Sequence, residues 1–311
     1  MSWLADKRIV VTGGAGFLGS NVIKKLEERG CKEIFIPRSK DYNLVEIEAV
    51  KSLYRDARPD IVIHLAARVG GIGANMNNPG SFFYENLMMG VQLIEQGRQA
   101  GIEKFVAIGT ICAYPKFTPV PFKEEDLWNG YPEETNAPYG LAKKMLLVQS
   151  QAYRQQYSFN AIYLLPVNLY GPGDNFDLKT SHVLPALMRK IHEAKLKGAP
   201  EAGVWGTGTP LREFLHVDDL ADALLFVMLH YDGYEIINVG GGEELTIRDL
   251  CELIREVVGY TGRIAFDPNM PDGTPRKALD VSRLSSLGWR PKIQLRSGIE
   301  ETYRWYCSTL P

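Results

Sequence analysis

The chain reads as an α/β protein built on a doubly wound parallel sheet, with a smaller α/β region attached. Three observations predict this. Short apolar, β-rich runs alternate with helical patterns through the first half, which is the rhythm of βαβ units with helices on both sheet faces. A glycine-rich turn joins the first strand to the first helix. After about residue 168 the rhythm changes and Gly and Pro become denser.

In chain order, residues 9–12 (Ile-Val-Val-Thr) form a short buried-strand run, and 17–28 an amphipathic helix that ends near Gly30. Strands follow at 33–36, 60–65, 105–108 and 161–165, with helices around 81–100 and 141–156. A further helix is predicted over 183–195. His216-Val217-Asp218-Asp219 opens another, with its acidic residues in the first turn where the helix dipole favours them. The chain then crosses between two regions more than once. The predicted division is 1–167 plus roughly 213–243 for a nucleotide-binding domain, and roughly 168–212 plus 244–311 for a substrate-binding domain.

Composition narrows the function classes. The 311 residues carry 35 Lys plus Arg against 37 Asp plus Glu, a net charge of −2, with 45% hydrophobic and 23% charged residues. That mix suits a globular protein and argues against disorder. Near-balanced charge argues against nucleic-acid binding. No apolar run reaches the ~18 residues of a membrane span, and the first residues lack a secretory pattern. Cys31, Cys112, Cys251 and Cys307 are scattered, with no CxxC pair and no metal-ligand spacing. A reducing, cytoplasmic setting and no metal site are therefore expected.

Gly13, Gly16 and Gly19 stand at G-x-x-G-x-x-G spacing after the first strand. Such glycines permit a tight turn and close approach of a pyrophosphate to a helix N-terminus, whose N–H groups bind anions. A Rossmann-type dinucleotide site is predicted. Where an NAD site usually carries an acidic residue after the second strand, this chain has Pro37-Arg38-Ser39-Lys40. Those residues suit a 2′-phosphate, so NADP is preferred over NAD, with Asp41 close by.

Tyr139 and Lys143 lie four residues apart and share a helix face. A neighbouring ammonium is expected to lower the phenol's pKa and make Tyr139 a proton donor to a carbonyl. Thr110, at the end of the fourth strand, supplies a hydroxyl for the same oxygen.

These features resemble the extended short-chain dehydrogenase/reductase superfamily. Finer motifs resemble its bifunctional 3,5-epimerase/4-reductases of GDP-4-keto-6-deoxy-D-mannose. They are His64-Leu65-Ala66-Ala67 with Val69-Gly70-Gly71-Ile72, Gly109-Thr110-Ile111-Cys112-Ala113-Tyr114-Pro115-Lys116, Asn168-Leu169-Tyr170-Gly171-Pro172 and Ser181-His182-Val183-Leu184-Pro185. Val204-Trp205-Gly206, Arg212-Glu213-Phe214-Leu215-His216 and Pro271-Asp272-Gly273-Thr274-Pro275-Arg276-Lys277 complete the set. The resemblance covers nearly the whole chain.

The resemblance implies conversion of GDP-4-keto-6-deoxy-D-mannose to GDP-L-fucose with NADPH, by a cytoplasmic homodimer. It makes Cys112 and His182 the base and acid of epimerisation, groups tunable toward neutral pH. It implies cofactor contacts from Gly13, Gly16, Phe17, Leu18, Gly19, Arg38, Ser39, Ala66, Lys143, Pro166, Asn168, Leu169 and His182. Lys190, Trp205, Arg212, Asp272 and Lys277 would meet the GDP-sugar. Thr110 stands where the family usually has Ser. The alternatives are a sister enzyme for another GDP-4-keto sugar, a dideoxy sugar or a heptose, and a non-catalytic NADP-binding protein. A 4,6-dehydratase is disfavoured because Ile111-Cys112 replace the Asp-Glu pair of that chemistry.

Overall fold

The computed structural model describes residues 3–270, 272 and 274–310. Pro271 and Gly273 of the last motif lie outside the described residues.

A six-stranded, wholly parallel sheet carries the first core. Its strands are β1 (Arg8–Thr12), β2 (Glu33–Phe35), β3 (Ile61–His64), β4 (Lys104–Ile108), β5 (Ala161–Pro166) and, after an intervening stretch of chain, β9 (Ile237–Val239). The order is β2-β1-β3-β4-β5-β9. Apart from the edge strand β2, the strands are buried on both faces, with Val10, Val62 and Phe105 at 0–1% exposure, which is why they read as continuous apolar runs rather than alternating ones. Helices α1 (Phe17–Glu28), α2 (Ile47–Ala57), α3 (Ile72–Asn77), α4 (Pro79–Ala100) and α5 (Ala137–Tyr157) connect them. Both α4 and α5 start earlier than the apolar pattern predicts, because each opens on a proline-led first turn. Proline is pre-set for that position and lacks the N–H that would go unpaired there. For α5 the earlier start places Tyr139 in the first turn.

The second core lies beyond β5. It is built from β6 (Asn168–Tyr170), α6 (Val183–Leu196), β7 (Glu201–Trp205), β8 (Leu211–His216), β10 (Glu244–Thr246), α8 (Ile247–Val258), β11 (Arg263–Asp267), β12 (Arg276–Lys277) and α10 (Leu295–Thr309). Strand β8 is central: β10 and β12 flank it and β6 pairs with it as well. Strands β7 and β11 form a separate parallel pair. Met188, Ile191, Leu250, Ile254 and Ile299 fill this core.

Helix α7 (Val217–His230) returns the chain to the first sheet and packs on α1; β9 then adds the sheet's sixth strand. The short helix α9 (Ser282–Ser286) brings Leu284 into the first core, with Leu279 and Trp289 beside it. Carboxylates stitch the two regions. Asp219 accepts the Ile293 amide at 2.9 Å, and the fully buried Glu213 accepts the Gly242 and Leu279 amides at 2.7 and 2.8 Å. No helix among the described residues is long and apolar enough to cross a membrane.

Candidate active site

One cleft of about 2470 Å³ runs along the carboxyl ends of β1, β3, β4 and β5 and continues between the two cores. Open α/β sheets bind ligands there, where the strand order reverses between β1 and β3. Every residue singled out from the sequence as a site residue lines this cleft, except Lys40.

At the β1 end the glycine loop is shaped by close approach. Gly13 has φ +71°, and a Cβ there would lie 2.7 Å from the amide nitrogen of Ala66. A Cβ on Gly19 would collide with the Gly13 carbonyl oxygen. Gly16 caps α1 without a side-chain bond, so the first-turn N–H groups of Phe17 and Leu18 open into the cleft. That is a cradle for a diphosphate. Arg38 and Ser39 line the same end, whereas Lys40 and Asp41 do not. The lining therefore carries a cation and no carboxylate after β2. Ala66, Pro166, Asn168 and Leu169 form the opposite wall, and Asn168 donates its amide to the Glu213 carbonyl at 3.1 Å.

Tyr139 is 9% exposed and Lys143 is buried one turn further along α5. Burial pulls the Lys143 ammonium down to about 8. The expectation for Tyr139 is corrected: burial, with Cys112 adding in the same sense, raises the phenol above its ordinary value. Desolvation of the charged phenolate outweighs any help from the ammonium, so Tyr139 is held as the protonated donor. Behind the pair, the fully buried His64 touches the Thr12 hydroxyl at 2.8 Å and is held neutral by burial and by the Lys143 charge.

The strand β4 ends in a one-turn 3₁₀ helix, Ile111–Ala113, capped by Thr110. The Thr110 hydroxyl oxygen accepts the Cys112 amide at 3.2 Å. Gly140 lets α5 pack on this turn, since a Cβ there would meet the Cys112 carbonyl oxygen at 2.6 Å. Cys112 is half-buried, and a small side cavity joins it to Lys116, Glu133 and Lys277. His182 occupies the N-cap of α6 but makes no capping bond, so its imidazole is uncommitted. It is accessible from the cleft, while the protein around it lowers its pKa by desolvation.

The far end is cationic and aromatic. Lys190 stands 5.3 Å from the centre of the Trp205 ring, and that ring is 62% exposed. Arg212 donates to the Leu211 carbonyl at 2.8 Å; burial pulls its guanidinium down, and Cys112 and Asp272 act in the opposite sense. Lys277 lies beside it on β12, which pairs with β8. Asp272 has bonds of its own: its carboxylate accepts the Thr207 amide at 2.7 Å and the Thr207 hydroxyl at 2.8 Å. Its first effect is thus to shape the turn after Trp205.

Sequence reasoning misses Asp174 and attaches no role to Ser181, which opens one of the motifs above; both line the cleft and each buries an oxygen without a partner among the described residues. No pattern in the sequence distinguishes Asp174 from a loop residue. Lys116 ends one of the motifs above, and nothing in the motif attaches a role to it. Among the described residues, no cluster of three or more His, Cys, Asp and Glu side chains could hold a metal ion.

Residues 9–240 match the NAD dependent epimerase/dehydratase family. GDP-L-fucose synthase 1 of Arabidopsis thaliana is 47% identical over 98% of this chain and 95% of its own. A GDP-L-fucose synthetase from Naegleria fowleri, solved bound to NADP, superposes with a TM-score of 0.92 at 32% identity, covering 99% of this chain and 95% of that one. MlghC, a GDP-mannoheptose C4 reductase from Campylobacter jejuni with NADP bound, gives 0.90 at 30% identity, covering 98% and 100%. The chain belongs to the NAD dependent epimerase/dehydratase family, in its GDP-L-fucose synthase group.

Proposed function

We propose that this chain is the NADPH-dependent epimerase/reductase that converts GDP-4-keto-6-deoxy-D-mannose to GDP-L-fucose. The observation that carries the reading is the convergence of two chemistries on one cleft: Cys112 and His182 line it together with Tyr139, Lys143 and Thr110. The names of relatives at 47% and 32% identity support the same reaction.

The cofactor reading rests on the glycine cradle and on Arg38 and Ser39, which suit a 2′-phosphate. Bound NADPH supplies a hydride to the sugar's C4. Everything else falls to the chain. Cys112 takes the acidic proton next to the keto group at C3 and at C5. His182 returns a proton from the opposite face, which inverts each centre. Tyr139 then gives its proton to the C4 oxygen. Thr110 donates a second hydrogen bond to that oxygen, because its own oxygen already accepts from Cys112 and its proton is free. Lys143 stabilises the phenolate left behind. Arg212 and Lys190 neutralise the diphosphate, Lys277 supplements them, Asp272 holds the Trp205 turn, and Trp205 stacks on the base.

The sister reading, another GDP-4-keto sugar, draws on the heptose reductase likeness, but that protein is 30% identical against 47% for the fucose relative. A homodimer belongs to the proposal. It is supported by exposed apolar side chains on α4 and α5, namely Phe83, Tyr84, Val148 and Tyr157. A cytoplasmic setting agrees with four unpaired cysteines. The division into a cofactor-binding and a sugar-binding domain is supported by the presence of two cores, with the difference that Leu279, Leu284 and Trp289, from the stretch assigned to the sugar-binding domain, pack into the first core. The direct test is product analysis with GDP-4-keto-6-deoxy-D-mannose and NADPH. Inverted C3 and C5 with a reduced C4 supports the reading; reduction without inversion overturns it in favour of a simple 4-reductase.

A further inference from the structure

We propose that Asp174 belongs to the dinucleotide site, where its free carboxyl oxygen donates a hydrogen bond to the diphosphate of bound NADPH beside Phe17. The inference rests on the NADPH reading above. Asp174 follows Gly171-Pro172-Gly173 in the loop that leaves β6 for α6, and it lines the cleft.

Three features of its position carry the argument. A Cβ on Gly173 would come 3.8 Å from the Phe17 ring, so the loop leans on the first turn of α1, where the glycine cradle gathers its N–H groups. Asp174 itself is only 9% exposed. One carboxyl oxygen accepts the Asn175 amide at 2.7 Å, and the other is buried with no partner among the described residues. A buried, unpartnered carboxyl oxygen is costly, and a native protein keeps one where a ligand, an ion or a water satisfies it.

Its chemistry decides what it does there. Burial is the largest influence on this carboxyl and pushes it up to about 7; the Asn175 amide pulls weakly the other way. Its own loop carries the charged groups Asp177 and Lys179, and the helix that follows has His182 at its N-cap and Arg189 within it. Arg189 is turned to the Phe176 carbonyl at 3.0 Å and to Glu193 at 2.7 Å. Tyr306 of α10 stacks on Phe176 at 4.3 Å, and His216 approaches Gly171 from the α7 side. None of these bonds to Asp174. A protonated carboxyl is a donor, and beside a diphosphate it binds; the ionised form repels the same oxygens. Binding therefore favours the protonated form, and affinity falls as pH rises through 7.

The test is NADPH binding by the protein without sugar, read by quenching of tryptophan fluorescence between pH 6 and 8.5. Wild type is expected to bind about tenfold more weakly at pH 8.5 than at pH 6. Asp174→Asn, whose amide donates at every pH, should bind tightly at both ends and lose most of that slope. Asp174→Ala should bind about tenfold more weakly at pH 6, the loss typical of one hydrogen bond to a charged group. Comparing variants with wild type cancels the titration of NADPH's own phosphate. Unfolding midpoints of both variants check that the loop is intact. Asp174→Ala with wild-type affinity throughout, or Asp174→Asn with the wild-type slope, overturns the proposal and leaves the NADPH reading standing. A wild-type protein that binds no NADPH overturns both.

Discussion

The hydroxyl oxygen of Thr110 accepts the amide of Cys112 at 3.2 Å. That bond ties the end of β4 to the one-turn helix carrying the thiol, and it leaves the hydroxyl proton free to point into the cleft. The proposed reduction and deprotonation groups thus share one backbone turn. The packing of Gly140 on the Cys112 carbonyl brings Tyr139 to the same place. A sugar needs to move little between losing a proton and gaining a hydride.

Replacing Tyr139 by Phe removes one hydroxyl and almost no volume. Reduction at C4 should fall by about 10²–10⁴, the usual worth of a general acid. The thermal midpoint should stay near wild type. Reduction of the 4-keto sugar at near wild-type rate would remove Tyr139 from the role.

Lys143, the proposed partner of the Tyr139 phenolate, is also a stability cost. Its pKa is about 8 in the folded chain, against 10.5 for an ordinary solvated lysine. Between those values the folded state binds fewer protons than the unfolded one, so stability rises with pH across that window. At pH 7 the buried ammonium costs about 3 kcal/mol by that difference. Lys143→Met should therefore lose reduction and unfold at higher urea concentration at pH 7, with the gain shrinking as pH rises from about 8 toward 10.5. A Met variant less stable than wild type at pH 7 would contradict this.

Arg38 should set the cofactor preference. One charge-assisted bond to the 2′-phosphate contributes about 1.5–3 kcal/mol, so NADPH should bind at least about tenfold tighter than NADH. Titrating Arg38→Ala with both nucleotides should show most of that ratio lost. Equal dissociation constants in the wild type would be the contrary result.

Alkylation should separate the four thiols. Cys251 is fully buried and its thiol is pushed up to about 12, and burial also raises Cys31; neither should label in the native protein. Cys307 is exposed and should label at all times. Cys112 should label through the cleft and be protected by GDP-sugar, with loss of epimerisation tracking Cys112 alone. Mass spectrometry of peptides reads all four.

Much of the cofactor end is legible in the sequence, because it is local. Gly13, Gly16 and Gly19 sit in one turn, and Tyr139 and Lys143 in one helix, so spacing alone reveals them. The sugar end is assembled from β7, β8, β12 and α6, which only the fold brings together. Trp205, Arg212 and Lys190 are accessible through motif resemblance rather than pattern. The apolar pattern misplaces the starts of α4 and α5, because Pro79 and Pro138 interrupt it while suiting a first helical turn. The raised Tyr139 phenol escapes the sequence because burial is a tertiary property, and the i, i+4 spacing shows only the ammonium. Asp174 is hidden for the same reason: an Asp after two glycines reads as a solvated loop, and its burial is a property of the folded chain.

On the proposed function, one cleft performs epimerisation through Cys112 before any hydride moves. The measurement that bears on it most directly is solvent-deuterium incorporation into GDP-4-keto-6-deoxy-D-mannose in D₂O without NADPH, read by NMR at C3 and C5. The wild-type protein should incorporate deuterium, and Cys112→Ser, whose hydroxyl is too weak an acid to serve as a base at neutral pH, should not. His182→Asn should retain some exchange and give a changed ratio of stereochemical products. No incorporation by the wild type, or wild-type incorporation by Cys112→Ser, would contradict it.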